Sequence, residues 1–567
     1  MTIEERASLW LSKPFDVNTQ KEVKKLKEDP KKLEDAFYTS LKFGTGGMRG
    51  IMGAGTNRIN KYTLGKSTQG LSNFLLKKYP NEQIKTVVAY DSRNNSKYFA
   101  EIVASIFTSN GILCYLFSEI RPTPELSFAV RFLKTHCGIV LTASHNPPNY
   151  NGYKVYGEDG GQLVPPDDKF IMNEIDNTSF NQIKFEGNKN LLHYVDEKID
   201  YEYYNTVLDE VLMHNLDRSN LKIVYTPLHG TSITAIPKVL DLAGYKKKFI
   251  VKEQEKPDGN FPTVKSPNPE DKLALKMAVS LASKKNADLV IGTDPDADRL
   301  GIVVRDLDND WYYLNGNQIM VVFTEYLLNK LKKNNQLGSN NFIASTIVSS
   351  PMILKLANSY GVKYKNCLTG FKWIAKLIKD RPDLKFIGGG EESYGYLIGD
   401  KIRDKDAISA SLLACELASE LKYENKSIYK YLINCYVKYG LYVERLISIT
   451  KEGKDGADQI ISIMKEFRET PPKEFGNIPI LEIDDYLLSE SKNLKKSQTK
   501  KIDLPKENVL IFRLEDGSKI SLRPSGTEPK IKFYFSVNSV YKKKLPLKIQ
   551  QKRLNNKIDL FINDIII

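Results

Sequence analysis

Cysteine and histidine are scarce in this chain, 5 of each in 567 residues, and neither clusters. Cys114, Cys137, Cys367, Cys415 and Cys435 form no CxxC pair. That spacing excludes a zinc ribbon, a thioredoxin-like redox pair and a disulfide scaffold, and the five read as reduced core residues of a cytoplasmic protein. His136, His193 and His214 stand apart and read as structural or exposed. No apolar run reaches membrane-spanning length, and Met1-Thr2-Ile3-Glu4-Glu5-Arg6 is no signal peptide. A GxxxxGK[ST] loop is also missing, which leaves ATP binding by that route unsupported. The net charge of +14 is uneven, with 18 Lys/Arg against 7 Asp/Glu from Ser491 to Ile567. That segment carries no nucleic-acid motif. Lys542-Lys543-Lys544 and Gln551-Lys552-Arg553 read as solvated surface that helps attract dianions, so neither nucleic acid nor membrane is expected as a partner.

Against this ordinary background, 41% hydrophobic and 27% charged, four segments carry chemistry. Cys137-Gly138-Ile139-Val140-Leu141 reads as a buried strand, and Thr142-Ala143-Ser144-His145-Asn146-Pro147-Pro148 breaks it. Ser144 is thereby expected on an exposed, tight loop at a strand end, a common place for a reactive group in α/β proteins. A serine hydroxyl is a weak nucleophile, and His145 and Lys154 are placed to lower the cost of developing negative charge.

A second strand, Leu289-Val290-Ile291-Gly292, runs into Thr293-Asp294-Pro295-Asp296-Ala297-Asp298-Arg299. Three carboxylates at alternate positions repel unless they share a cation, and hard oxygen ligands without Cys or His favour Mg²⁺ over zinc. The EF-hand Gly and distal Glu are missing. Arg299 adds a charge suited to a phosphate oxygen. Third, Phe386-Ile387-Gly388-Gly389-Gly390-Glu391-Glu392-Ser393 opens a strand into a turn whose carboxylate and hydroxyl match the donor and acceptor needs of sugar hydroxyls. Fourth, Arg523-Pro524-Ser525-Gly526-Thr527 sets a guanidinium fork, two hydroxyls and loop amides around room for a dianion.

These segments, in this order, resemble the α-D-phosphohexomutase superfamily, most closely its bacterial phosphoglucomutase branch of long chains. Further agreement comes from Phe43 to Gly50, Asp91-Ser92-Arg93, Pro227-Leu228-His229-Gly230, Thr369-Gly370-Phe371-Lys372 and Arg403-Asp404-Lys405-Asp406. The resemblance implies a mutase that moves phosphate between the 1- and 6-positions of a hexose, with glucose 1,6-bisphosphate as intermediate and activator. It implies a phosphoserine at Ser144 whose phosphate completes the Mg²⁺ shell of Asp294, Asp296 and Asp298. Lys154 and Arg299 match positions near the transferring phosphate; Arg49 and Lys405 match basic residues considered for proton transfer. Thr369, Gly370, Lys372, Glu391 and Ser393 match substrate-binding positions, and Arg523, Ser525, Gly526 and Thr527 the grip on the other phosphate. A histidine that some members carry after the sugar-binding serine is replaced here by Tyr394-Gly395-Tyr396, so its role does not carry over. Small sugar phosphates are the expected partners; mannose and pentose phosphates rival glucose. Two other classes fit less well. In a haloacid-dehalogenase-type phosphatase the first aspartate is the nucleophile, which leaves Ser144 surplus, and a basic nucleic-acid binder needs none of the four loops.

Strand-like runs such as Thr86–Asp91, Leu221–Tyr225 and Asn341–Val348 alternate with amphipathic stretches such as 271–284. The expected fold class is α/β: three similar mixed α/β domains plus a smaller α+β C-terminal domain around a central cleft. Expected boundaries are a helical extension at 1–42, then 43–205, 206–315, 316–435 and 436–567. The polar run from Ser489 to Lys501 reads as a linker or mobile segment.

Overall fold

A computed structural model describes residues 1–44, 46–195, 197–212, 216–451, 453–525 and 530–565. His214, Gly526 and Thr527 fall outside them. The chain forms two compact units, one of Met1–Ile319 with Phe371–Ile428, the other of Met320–Gly370 with Tyr429–Ile567.

The first unit opens with the helices Ile3–Leu9, Val17–Leu26 and Pro30–Phe37. Each starts on a side-chain cap: Thr2, Asp16 and Asp29 accept from the amides of Glu5, Thr19 and Lys32. Trp10, Phe15 and Phe37 pack on Tyr62 as an aromatic core of their own, with Trp10 stacked on Phe15 at 4.2 Å. These first three helices therefore pack against Tyr62 through that cluster.

A six-stranded sheet follows, in the order Gly47–Ile51, Tyr150–Gly157, Cys137–Leu141, Lys85–Tyr90, Leu113–Phe117, Leu192–Val195. The strands Lys85–Tyr90, Cys137–Leu141 and Leu113–Phe117 pair in parallel, and Cys137–Leu141 is buried throughout. Parallel strands covered on both faces read as continuous apolar runs, which is why these were legible. A five-stranded sheet comes next, with Leu289–Thr293 between Lys222–Thr226 and Leu300–Arg305. Its helix starts at Lys276, later than the amphipathic stretch from 271. Asn268 and Asp271 instead accept the amides of Glu270 and Leu273 in tight local turns. Lys385–Gly390 and Tyr396–Ile398 form an antiparallel pair in the same unit.

In the second unit, Asn341–Thr346 and Lys363–Cys367 pair in parallel. An eight-stranded antiparallel sheet follows, its longest pairing between Leu441–Thr450 and Lys530–Ser539. The run Ser489–Lys501 is no linker: Glu490–Asn493 and Gln498–Lys501 make a hairpin at the sheet edge. An edge strand has no face that must be buried, so its backbone pairs without any apolar alternation, and its lysines discourage edge-to-edge association. All five cysteines are free thiols, each buried as expected. Among the described residues no helix is long and apolar enough to cross a membrane.

Candidate active site

Ser144 follows its buried strand in a left-handed conformation, φ 52°, with its amide donating to Thr142 Oγ1 at 2.9 Å. The sequence places it on an exposed loop; the structure buries it, at 3% exposure. The difference comes from Arg93, whose guanidinium ties the loop inward. It donates to the carbonyls of Ser144 at 2.6 Å and Pro147 at 2.8 Å, and also to that of Asn146. Arg93 stacks on Phe261 at 5.0 Å and lies 3.4 Å from Asp91. The Asp91-Ser92-Arg93 segment thus scaffolds the serine loop.

The aspartate loop meets that serine directly. Ser144 Oγ donates to Asp294 Oδ2 at 2.6 Å. Asp294 Oδ1 accepts the amides of Asp298 and Arg299, both at 3.0 Å, so the loop curls around its first carboxylate. Carboxylate oxygens of Asp294, Asp296 and Asp298 lie within 4.8 Å of one another. Pro295 is clamped from behind: its carbonyl accepts the Thr231 amide at 2.7 Å, and a Cβ on Gly230 would sit 2.4 Å from Pro295 Cα. That close approach explains the glycine of Pro227-Leu228-His229-Gly230.

Lys154 donates to Asp296 Oδ2 at 2.7 Å and Asp298 Oδ2 at 3.0 Å. Lys405 Nζ reaches Asp298 Oδ2 at 3.1 Å. Burial and repulsion from its neighbours push the Asp294 carboxyl well above its ordinary value. Burial acts on Asp298 in the same sense, but Lys154 and Lys405 outweigh it and hold that carboxyl low. Burial opposes the charge on Lys154, and the adjacent Asp296 and Asp298 more than restore it. Two buried oxygens, Asp296 Oδ1 and Asp298 Oδ1, have no hydrogen-bond partner. Orphaned buried carboxylate oxygens are costly unless a cation takes them, so the donor set fits a hard divalent ion.

His145 Nδ1 lies 3.2 Å from Ser144 Oγ. Burial, with Arg299 and Arg49 nearby, holds its imidazole well below the ordinary value. It is thus a neutral hydrogen-bond partner, whereas the charge near Ser144 comes from lysine and arginine. Arg49 donates to Asn146 Oδ1 at 2.8 Å from the neighbouring strand. Arg299 pairs with Glu270 and lies 3.9 Å from Asp298 Oδ1.

The glycine-rich turn is pinned to the same place. Leu300 N donates to Tyr394 O at 3.0 Å and Ala407 N to Ala297 O at 3.1 Å. Glu391 is buried beside Lys405, and burial raises its carboxyl to about 6 against that lysine's pull. Ser393 is half-buried on the turn, and Lys372 opens the helix Lys372–Asp380. The first unit alone therefore gathers Arg49, Ser144, His145, Lys154, the three aspartates, Arg299, Glu391 and Lys405.

In the second unit, Arg523 is the penultimate residue of the strand Lys519–Pro524, with its Nε buried and, among the described residues, unpartnered. Ser525 N donates to Lys530 O at 2.7 Å, and the residues between them lie outside the described ones. Thr369 Oγ1 is likewise buried without a partner, and Gly370 takes φ 110°.

Sequence reasoning missed Thr123. Its amide donates to Asp296 O at 2.9 Å and its hydroxyl to Asp296 Oδ2 at 3.1 Å, which fixes the middle aspartate. The signal was Pro122-Thr123-Pro124, a helix start with no cap of the usual kind.

Three family profiles match the chain: phosphoglucomutase/phosphomannomutase alpha/beta/alpha domain I over residues 40–182, domain II over 201–307 and domain III over 315–439. A phosphoglucomutase of Staphylococcus aureus MRSA252 is 40% identical over 539 residues, 93% of this chain and 95% of that protein. One from Staphylococcus epidermidis ATCC 12228 is 40% identical over 512 residues, 89% and 92% of the two chains. Among solved structures, a putative phosphomannomutase from Thermus thermophilus has TM-score 0.68 at 20% identity, covering 91% of this chain and 99% of that one. The open form of parafusin, a Paramecium phosphoglucomutase, also has TM-score 0.68 at 20% identity, covering 93% and 96%. These two show the shared fold, three α/β domains followed by a domain built mostly of strands. With profiles spanning most of the length and relatives at 40% identity, the chain belongs to the phosphoglucomutase/phosphomannomutase family, whose members are phosphohexomutases.

Proposed function

We propose that this protein is a phosphoglucomutase that interconverts α-D-glucose 1-phosphate and glucose 6-phosphate through a phosphoserine at Ser144 and a bound glucose 1,6-bisphosphate. One observation carries the reading: Ser144 Oγ lies 2.6 Å from Asp294, inside an aspartate cluster with two orphaned oxygens. A hydroxyl aimed into a cation site is placed to carry a phosphoryl group rather than to cap a turn.

Asp294, Asp296 and Asp298 would hold Mg²⁺, which when bound supplies charge neutralisation for the phosphoryl oxygens. Lys154 and Arg299 flank the aspartates with fixed positive charge for the same oxygens. In the forward direction the bond from Ser144 Oγ to phosphorus breaks as the sugar 6-hydroxyl oxygen bonds that phosphorus. The proton of the sugar hydroxyl ends on the Ser144 oxygen that leaves, and Lys405 and Arg49, both charged, match the family positions considered for that exchange. Glu391 and Ser393 orient the ring through its hydroxyls. Arg523, Ser525, Gly526 and Thr527 grip the phosphate that is not transferring. The resulting bisphosphate then turns end for end, and its 1-phosphate returns to Ser144.

Glucose is favoured over mannose because the relatives at 40% identity are phosphoglucomutases. The test is intact-mass analysis with the phosphate mapped by fragmentation, alongside turnover of glucose, mannose and ribose 1-phosphates. Phosphate on Ser144 with fastest turnover of the glucose ester supports the reading. Phosphate on Asp294, or faster turnover of another ester, overturns it.

A further inference from the structure

Lys405 is held from several sides by neighbours within the first unit. Its aliphatic stem lies on Gly395, where a Cβ would come within 2.0 Å of Lys405 Cδ and 2.7 Å of Cγ. Gly395 is therefore required as a flat floor in the Tyr394-Gly395-Tyr396 stretch. The ammonium lies 5.6 Å from the centre of the Phe371 ring and is shared between two carboxylates, Asp298 Oδ2 at 3.1 Å and Asp404 Oδ1 at 3.3 Å.

The two carboxylates differ in what else they do. Asp298 belongs to the aspartate cluster, and a divalent cation there competes with Lys405 for its oxygens. Asp404 stands outside the cluster and is anchored at its far side. Its Oδ2 accepts the Tyr156 hydroxyl at 2.6 Å and Gln162 Nε2 at 2.9 Å. Tyr156 and Asp404 are almost fully buried, 0% and 1% exposed, so water does not replace these bonds at small cost. Tyr156 is two residues beyond Lys154 on the strand Tyr150–Gly157, hence on the same face. One strand face thus sends Lys154 directly to Asp298, and Tyr156 by way of Asp404 to Lys405.

We propose that Tyr156 and Gln162, acting through Asp404, are positioning residues for Lys405. They keep its ammonium between the aspartate cluster and Glu391 when a cation draws Asp298 away. The placement is independent of the substrate; the kinetic consequence rests on the phosphoglucomutase reading.

The experiment makes Tyr156→Phe, Gln162→Leu and their combination in the wild-type and Lys405→Ala proteins. Tyr156→Phe keeps the ring, so the fold is retained while the Asp404 bond is lost. In the wild-type background kcat for glucose 1-phosphate should fall about ten-fold, the effect of one hydrogen bond to a charged group, with KM nearly unchanged. In Lys405→Ala the same change should cost less than about two-fold, because residues acting through one partner are not additive. A second readout needs no turnover: acetylation of Lys405, mapped by mass spectrometry on folded protein, should speed up several-fold in the combined variant. An equal kcat loss in both backgrounds, or unchanged Lys405 labelling, overturns the proposal. Absence of glucose 1-phosphate turnover in the wild type would instead overturn the substrate reading, and the labelling would still decide the placement.

Discussion

Ser144 and Asp294 are 150 residues apart in sequence and joined by a 2.6 Å hydrogen bond. The bond unites two loops that each follow a buried strand in a different sheet. It makes the serine the partner of a buried carboxylate, besides the phosphate-bearing role proposed for it. Ser144→Ala should therefore abolish turnover, by on the order of a thousand-fold or more. In the unphosphorylated protein it should also cost about 1–3 kcal/mol of stability, since a buried acceptor loses its donor. Urea titration beside an activity assay checks both. Near-normal turnover would end the phosphoserine mechanism, and an unchanged midpoint would mean that water replaces the hydroxyl.

Asp296 has one oxygen on Lys154 and Thr123 and the other without a partner. Asp296→Asn keeps the shape and removes the charge, so the affinity for Mg²⁺ should drop about ten-fold or more, with activity partly restored at high Mg²⁺. Calorimetric Mg²⁺ titration measures the first and rate against Mg²⁺ concentration the second. Full activity of the wild type in excess EDTA would remove the metal from the reaction.

The motif-bearing strands were legible because parallel, doubly covered strands are short unbroken apolar runs: Cys137–Leu141 and Leu289–Thr293 show this in five letters each. The aspartates were legible because a buried strand runs straight into three carboxylates at alternate positions, whereas Asp306, Asp308 and Asp310 repeat the spacing on a more exposed turn. Burial of Ser144 was not, because it depends on Arg93, 51 residues upstream, and no local pattern records a long-range clamp. The hairpin Glu490–Lys501 was missed for the opposite reason, since an exposed edge strand has no hydrophobic alternation to read. Tyr156 carries no motif of its own, and nothing in Arg403-Asp404-Lys405-Asp406 names it as a partner. The pairing of Tyr156 with Asp404 across 248 residues shows only in three dimensions.

Glu125 lies fully buried in the helix Thr123–Phe132. Burial, then the adjacent Asp200, raises its carboxyl well above the ordinary 4.5, against the pull of Arg121. A carboxyl raised in the folded state takes up a proton on folding, so its contribution is complete below the ordinary value and is lost as pH climbs toward the raised one. Glu125→Gln should therefore flatten the fall of stability above pH 4.5 and leave the variant more stable than wild type at the alkaline end. Thermal midpoints from pH 5 to about 9 test this. A constant gap between the two proteins across that range would show that Glu125 does not titrate in it.

Arg523 separates gripping from chemistry. Its Nε is buried without a partner among the described residues, and its Nη2 lies 3.8 Å from Glu507 Oε1, too far for a good hydrogen bond. A guanidinium left this unsatisfied is prepared for a dianion, and a charge-assisted hydrogen bond contributes about 1.5–3 kcal/mol. Arg523→Ala should lower kcat/KM for glucose 1-phosphate by roughly ten- to a hundred-fold. If the proposed grip also holds the bisphosphate while it turns, the variant should release more bisphosphate per turnover. Ser144 and the aspartates are untouched, so phosphoserine should still form when glucose 1,6-bisphosphate is supplied in excess. Quantifying released bisphosphate and Ser144 occupancy in the same samples reads both. If the variant kept its substrate affinity but no longer became phosphorylated, Arg523 would belong to the transfer step and the cradle assignment would be wrong.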